Sequence, residues 1–181
     1  IEAGLAFGTG QHATTLGCLQ ALETLGKRRA FRNIADIGTG TGVLALAGAK
    51  QWRRARSIAT DIDPISIIVT AENLNKNKAQ GGRIAGALEL AVAPGMDHPR
   101  LKARAPYDLV LANILAPPLV AISRPLSELV APGGIVVLAG LLHHQARRVM
   151  NAYRKHGLVP AASWPRHAEW PCLVLVKAKR P

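Results

Sequence analysis

Two glycine-rich stretches contain the residues of this chain whose types and spacing are most suited to chemistry. They are GLAFGTGQHATT at residues 4–15 and DIGTGTG at residues 36–42. Glycine lets a backbone approach a ligand closely and turn sharply into a helix. The two stretches could therefore hold one ligand between them. A phosphate is the first candidate, because the amino terminus of a helix attracts anions.

The residues around the second stretch argue against a phosphate. A P-loop carries Lys followed by Ser or Thr after its glycines, and no such pair follows here. Counted from Gly40, GTGVLA does satisfy the G-x-G-x-x-A pattern of dinucleotide-binding enzymes. Asp61 also lies about twenty residues further on, as that pattern requires. An NAD-dependent oxidoreductase is therefore one alternative that this stretch leaves open.

Asp36 favours a ligand with positive charge. It stands two residues before Gly38 and gives D-x-G-x-G-x-G, so its carboxylate would be a poor neighbour for pyrophosphate. S-adenosylmethionine, which carries a sulfonium and an ammonium group, suits this loop better, and Asp61 could accept hydrogen bonds from both of its ribose hydroxyls. Two structural interpretations stay open. Asp36 could hold backbone N–H groups of the loop, and Asp61 could cap a helix, although Asp63 just before Pro64 fits that cap better.

The elements that must position these residues alternate between strands and helices. The strand-like runs are NIADIG, SIATDID, LELAV, YDLVLAN and GGIVVLAG. Helical patterns follow at GVLALAGAK, from Pro64 through ISIIVTAENLNKNK, at PPLVAISRPLSELV and at residues 142–157. Pro125 should bend or interrupt the third of these helices. GLVPAASW and PCLVLVKA lie close together with no helix between them, so we expect them to pair antiparallel.

This order of elements predicts one α/β domain over residues 1–181, with helices on both faces of a mostly parallel sheet. In such sheets, ligands bind beyond the carboxyl ends of the strands. The first strand ends at the second glycine stretch, the second at Asp61 and the fourth at Asn113. We therefore expect these three sites to line one crevice.

Composition excludes several classes of protein. Hydrophobic residues make up 49% of the chain, which argues against disorder. No apolar run is long enough to span a bilayer, and we expect a cytoplasmic protein. Cys18 and Cys172 lack metal-ligand spacing, so we expect buried thiols, no disulfide and no metal.

The charge of the chain points to polyanionic surroundings. Lys and Arg number 23 against 11 Asp and Glu, which gives a formal net charge of +12. Such a surface favours contact with RNA or a ribonucleoprotein. A non-catalytic RNA-binding domain is therefore a second alternative.

Five motifs together resemble those of class I S-adenosylmethionine-dependent methyltransferases. The resemblance is closer still to the methyltransferases that modify protein eleven of the large ribosomal subunit. The motifs are GLAFGTGQHATT, DIGTGTG, DIDP, YDLVLANILA and APGGIVVLAGLL, and they extend over almost the whole chain. The resemblance implies a three-layer Rossmann-like fold whose seven-stranded, mostly parallel sheet ends in an antiparallel carboxyl-terminal hairpin. It also implies that both glycine stretches hold S-adenosylmethionine.

The resemblance also assigns residues to the cofactor. The implied contacts are Thr15, Gly38, Asp61 and Asn113, and the two loops add Asp36, Gly40, Gly8 and Gly10. Thr15 would contact the cofactor from the start of a helix, although a helix cap is the alternative role. His12 lies close to it, but we do not expect it to act as a general base.

Some departures from the family pattern concern the substrate. The resemblance does not extend to the family's amino-terminal substrate-recognition domain, so we expect either a fragment or a catalytic domain with another substrate. Glu2-Ala3 stands where the family usually has Asp-Pro, Ala13 where it has proline, and Thr39 where it often has cysteine. None of these changes removes a contact group.

Asn113 is the residue predicted to act on the methyl acceptor. Methyl transfer is an in-line displacement, so the enzyme must align the lone pair of a neutral amine. The Asn113 side-chain oxygen could accept an N–H of that amine. Enzymes that methylate planar bases often have Asn-Pro-Pro-Tyr here, whereas this chain has Asn-Ile-Leu-Ala. The missing aromatic ring favours a lysine or α-amino group over a nucleobase, and the family resemblance implies that this amine belongs to a large-subunit ribosomal protein. RNA and a small amine are the alternatives.

Overall fold

One seven-stranded sheet organises the fold. The computed structural model describes residues 13–161 and 172–179. The strands are β1 (Asn33–Ile37), β2 (Arg56–Asp61), β3 (Leu88–Val92), β4 (Tyr107–Asn113), β5 (Val130–Ala139), β6 (Leu158–Pro160) and β7 (Leu173–Lys177). Their order across the sheet is β3-β2-β1-β4-β5-β7-β6. Strands β1 to β5 pair parallel, and β7 pairs antiparallel with β5 and β6. The predicted sheet and its antiparallel carboxyl-terminal hairpin are confirmed.

Helices cover both faces of this sheet. Those in the described ranges are α1 (Ala13–Gly26), α2 (Val43–Gln51), α3 (Pro64–Lys76), α4 (Pro99–Arg104), α5 (Ala116–Ala121), α6 (Ser123–Glu128) and α7 (His143–Arg154). Helices α1 to α3 contribute to the hydrophobic clusters on one face, and α4 to α7 to the cluster on the other. The predicted three-layer arrangement is therefore confirmed.

Strand β4 is buried on both faces, which suits its nearly continuous apolar sequence. Successive side chains of a strand point to opposite faces. Leu109 and Leu111 accordingly pack with α1 and α2, and Val110 and Ala112 pack with the cluster beneath α5. All four side chains are at most 1% exposed. This burial holds the end of β4, and with it Asn113, at a defined place among the carboxyl ends of the strands.

The helical pattern after β4 divides into two short helices, and the break is not where the sequence predicted it. α5 ends at Ala121 and α6 begins at Ser123, so the interruption falls at Ile122. Pro125 lies in the first turn of α6, where a missing N–H needs no partner. A continuous helix would instead have required an N–H at Pro125 to bond the carbonyl of Ala121. Proline therefore causes the break but lies after it.

Both cysteines are free, and the prediction of buried thiols is confirmed for Cys18 but only in part for Cys172. Cys18 on α1 is fully buried, and Cys172 just before β7 is partly buried. A hydrogen bond with Cys172, together with burial, raises the pKa of Cys18. No helix in the described ranges is long and apolar enough to cross a membrane. The same residues contain no group of three or more His, Cys, Asp or Glu side chains placed to hold a metal ion.

Candidate active site

The central strand β1 lies where the order of the sheet reverses. Its neighbours are β2 on one side and β4 on the other, and later strands extend the sheet outward in both directions. A crevice opens at the carboxyl ends of strands at such a switch point. The structure brings the glycine loop at residues 38–42, Asp61 and Asn113 to this edge, as predicted.

Two glycines shape the loop that follows β1. Gly38 has a φ of +69°, and a Cβ there would overlap the side chain of Ile114 beyond β4. Gly42 caps α2 with a φ of +81°, and a Cβ there would lie 2.6 Å from the Thr70 Cγ2 atom. Both positions combine a left-handed backbone with no room for a side chain, so glycine is required. The loop is therefore packed against β4 on one side and α3 on the other.

Asp36 lies beneath this loop and is only 2% exposed. Its Oδ2 atom accepts hydrogen bonds from the Thr39 hydroxyl at 2.7 Å and from the Ala45 backbone N–H at 3.1 Å. Burial raises the pKa of Asp36 to about 6. The charge of Asp61 adds to this rise, and the two hydrogen bonds oppose it. Asp36 thus ties the loop to α2, which is the structural interpretation, while its contact with a cofactor stays a prediction.

Asp61 ends β2 and is half-buried beside the loop. Its Oδ2 atom accepts from the Gly40 N–H at 2.8 Å, and its Oδ1 atom accepts from the Asp63 N–H at 3.0 Å. An ionised carboxylate has about four acceptor sites, so both oxygens can each take a further donor. Asp63, and not Asp61, caps α3 by accepting from the Ile65 N–H at 2.9 Å, as predicted.

Asn113 ends β4 and is joined to α1. Its Nδ2 atom donates to the Thr15 hydroxyl across 3.2 Å, and no other hydrogen bond of this side chain occurs within the described ranges. Thr15 is 1% exposed and is the third residue of α1, inside the helix. No described residue donates to the Oδ1 atom, so this atom can accept from a bound ligand. Gly8, Gly10 and His12 lie outside the described residues.

Sequence analysis missed two polar side chains that support the loop from α3. The Thr70 hydroxyl donates to the Gly40 carbonyl at 2.9 Å, and the Asn73 side chain donates to the Thr41 carbonyl at 2.9 Å. Both side chains are at most 3% exposed. Their spacing of three residues, which places them on one face of a helix, was the available signal.

Three exposed apolar side chains next to the site residues also escaped the sequence analysis. Ile62, directly after Asp61, is 69% exposed, and Leu115, two residues after Asn113, is 68% exposed. Leu16, next to Thr15, is 52% exposed. Large apolar side chains are normally predicted to be buried. The available signal for their exposure was their position in the sequence next to polar site residues. Because each lies within two residues of Asp61, Asn113 or Thr15 along the chain, these exposed apolar side chains are candidates for contact with a ligand.

Comparison with known proteins identifies the family. Residues 1–178 match the family described as ribosomal protein L11 methyltransferase (PrmA). A protein named ribosomal protein L11 methyltransferase from Bradyrhizobium diazoefficiens is 47% identical over 98% of this chain. One of the same name from Caulobacter sp. (strain K31) is 43% identical over 97% of it. The chain spans 58% of the length of each of these relatives.

A solved structure agrees with this similarity. The crystal structure of ribosomal protein L11 methylase from Lactobacillus delbrueckii subsp. bulgaricus is similar to this fold with a TM-score of 0.76. The similarity covers 98% of this chain and 84% of that one, at 27% sequence identity. Sequence and fold therefore agree over the same residues, and the chain belongs to the ribosomal protein L11 methyltransferase family.

Proposed function

We propose that this chain binds S-adenosylmethionine and transfers its methyl group to an amine of ribosomal protein L11. The observation that carries this proposal is the placing of Asp61 and Asn113 on opposite sides of one glycine loop at the switch point of the sheet. Family membership favours this function over an NAD-dependent oxidoreductase and over a non-catalytic RNA-binding domain.

The chemistry of the crevice residues fits S-adenosylmethionine. Each Asp61 oxygen holds one backbone N–H and keeps a lone pair, so the carboxylate can accept both ribose hydroxyls. The exposed side chain of Ile62 next to it offers an apolar surface to the adenine. A carboxyl group beneath the loop, that of Asp36, would repel a pyrophosphate when ionised. The crevice thus combines acceptors for hydroxyls with an apolar surface for a base.

Asn113 is proposed to position the methyl acceptor. When bound, S-adenosylmethionine supplies a methyl group on a positively charged sulfur. The hydrogen bond to Thr15 holds the Asn113 amide, and its Oδ1 atom accepts an N–H of the incoming neutral amine. The lone pair of that amine is then directed at the crevice. The exposed side chain of Leu115 lies two residues further on and would contact the methylene chain of a lysine.

Replacing Asp61 with alanine should weaken cofactor binding by about 1–3 kcal/mol, because the hydroxyls lose a charged acceptor. Isothermal titration calorimetry with S-adenosylhomocysteine measures this effect. The wild-type chain should bind S-adenosylhomocysteine and show no comparable affinity for NAD. Tight binding of NAD with no response to S-adenosylhomocysteine would contradict the proposed cofactor.

Asp63→Ala is the matched control for this experiment. It removes the same charge two residues away and should cost about 0.5–2 kcal/mol of stability through the lost cap of α3. Its affinity for S-adenosylhomocysteine should stay close to that of the wild type. Equal losses of affinity in both variants would mean that Asp61 acts only through loop structure or net charge.

The methyl acceptor is tested by transfer of a radiolabelled methyl group to purified large-subunit ribosomal proteins. We expect L11 to be labelled, and slowly by these 181 residues alone, since the relatives that carry the name are longer. Joining the unmatched part of the Bradyrhizobium relative to this chain should raise the rate. Labelling of RNA or of small amines instead of L11 would contradict the proposed substrate, and so would efficient labelling of other ribosomal proteins only.

A further inference from the structure

A second pocket lies at the edge of the sheet away from the candidate active site. It is a cavity of about 180 Å³ lined by Arg56, Arg83, Glu89, Arg100, Ala103 and Arg104. These residues come from the first residue of β2, the start of β3, the segment before β3 and helix α4. They therefore gather near the amino-terminal ends of β2 and β3, whereas the glycine loop and Asp61 lie at the carboxyl ends of β1 and β2.

The charges in this pocket are not balanced. Glu89 is 6% exposed and receives three guanidinium groups. Its Oε2 atom lies 2.9 Å from Arg104, and its Oε1 atom lies 3.0 Å from Arg83 and 3.7 Å from Arg100. Arg56 lines the same cavity. One carboxylate neutralises one of these four cations, so a large excess of positive charge is left around a small, partly buried space.

Arg104 has donors that nothing in the described structure satisfies. The residue is 9% exposed, and its Nη1 atom donates to Glu89 at 2.9 Å and to the Ser57 carbonyl at 3.1 Å. Its Nε and Nη2 atoms are buried and have no acceptor in the described part of the chain. Unsatisfied donors on a buried charged group are rare and costly, and a missing ion is one of their recognised explanations.

We propose that this arginine pocket binds a phosphate group. The cavity is smaller than the several hundred Å³ that drug-sized ligands occupy, so it suits a single anionic group. Guanidinium groups match the oxygens of phosphate with paired hydrogen bonds. The excess of positive charge favours phosphate over a carboxylate with one charge. Arg83 and Arg100 are exposed and line the cavity together with the buried Arg104. A change of rotamer at the two exposed arginines would give the group access to the unpartnered Arg104 donors.

Free phosphate and the phosphodiester of an RNA share this chemistry, and two probes separate them. The first is inorganic phosphate, titrated into the 181-residue chain at constant ionic strength and followed by NMR of the arginine side chains. The second is a fluorescein-labelled single-stranded RNA, followed by fluorescence anisotropy. The variant is Arg83→Gln with Arg100→Gln, which keeps the buried Arg104–Glu89 pair and changes only exposed side chains.

The control is Arg147→Gln with Arg148→Gln on α7, which removes the same charge from a different basic groove. The pocket variant should lose about tenfold or more in phosphate affinity, and the control should keep the wild-type value. If the pocket variant, and not the control, also loses RNA affinity, the group bound in the pocket is a phosphodiester of RNA. If the pocket variant loses phosphate affinity but keeps its RNA affinity, the pocket binds free phosphate. Equal phosphate affinity in the two variants, or no phosphate binding by the wild type, overturns the proposal.

Discussion

Asn113→Ala should lower the turnover of methyl transfer by about 100-fold, because misplacing a reacting group by about an ångström has an effect of that size. Its affinity for S-adenosylhomocysteine should change much less, by about threefold or less, since the lost contact is made mainly to the acceptor. Steady-state kinetics with labelled S-adenosylmethionine gives kcat, and calorimetry gives the affinity. Unchanged turnover would show that Asn113 does not position the amine.

Thr15→Val tests how Asn113 is held. Valine keeps the volume but removes the hydroxyl that accepts from the Asn113 side chain at 3.2 Å. Asn113 then keeps its Oδ1 atom but loses its orientation, so we expect an intermediate loss of kcat, of about threefold to tenfold. If Thr15→Val instead lost cofactor affinity and kept kcat, Thr15 would be assigned to the cofactor and not to the positioning of Asn113.

The stability of the fold should fall as the pH rises through the range in which Asp36 ionises. Burial raises the pKa of Asp36 from 3.8 to about 6, so the folded chain binds this proton more tightly than the unfolded chain does. The stabilisation from the neutral carboxyl is therefore complete below the unfolded pKa. It is lost as the pH rises through the folded pKa. Each pKa unit corresponds to about 1.4 kcal/mol, so the loss is on the order of 3 kcal/mol.

Urea unfolding at pH values between about 4 and 7 measures this effect in the wild type and in Asp36→Asn. Asparagine stays neutral, so the free energy of unfolding of the variant should rise relative to the wild type as the pH increases. Thr39→Val removes a hydrogen bond that lowers the pKa of Asp36, so the pKa of Asp36 in the folded chain should rise further. The loss of stability should then extend to higher pH. If the difference in free energy of unfolding between the wild type and Asp36→Asn did not change with pH, ionisation of Asp36 would not be the cause of the lost stability.

The strands, the glycine loop after β1 and most of the alternating helices could be predicted from local sequence, whereas the short helix α4 was not predicted. Most of the first glycine stretch lies outside the described residues. Apolar runs of strand length ending in glycine or a polar residue identify β1, β2 and β4, and the ends of these strands identify Asp61 and Asn113. The choice of Asp63 over Asp61 as the cap of α3 was also local, since Pro64 marks the first turn of that helix. These features depend on residues within a few positions of each other, where backbone preference and spacing act directly.

The partners of the same residues could not be predicted, because they come from distant parts of the chain. Asn113 meets Thr15 across 98 positions, and the Gly40 carbonyl meets Thr70 across 30. Packing of α2 over β1 buries Asp36 and raises its pKa, which its neighbours along the chain did not indicate, and its contact with a ligand stays a prediction. The contact between Arg104 and Glu89 likewise forms only when α4 packs against the sheet edge. Sequence therefore determined which residues end each strand, whereas long-range packing determined which side chains are buried, which are paired and which stay available to a ligand.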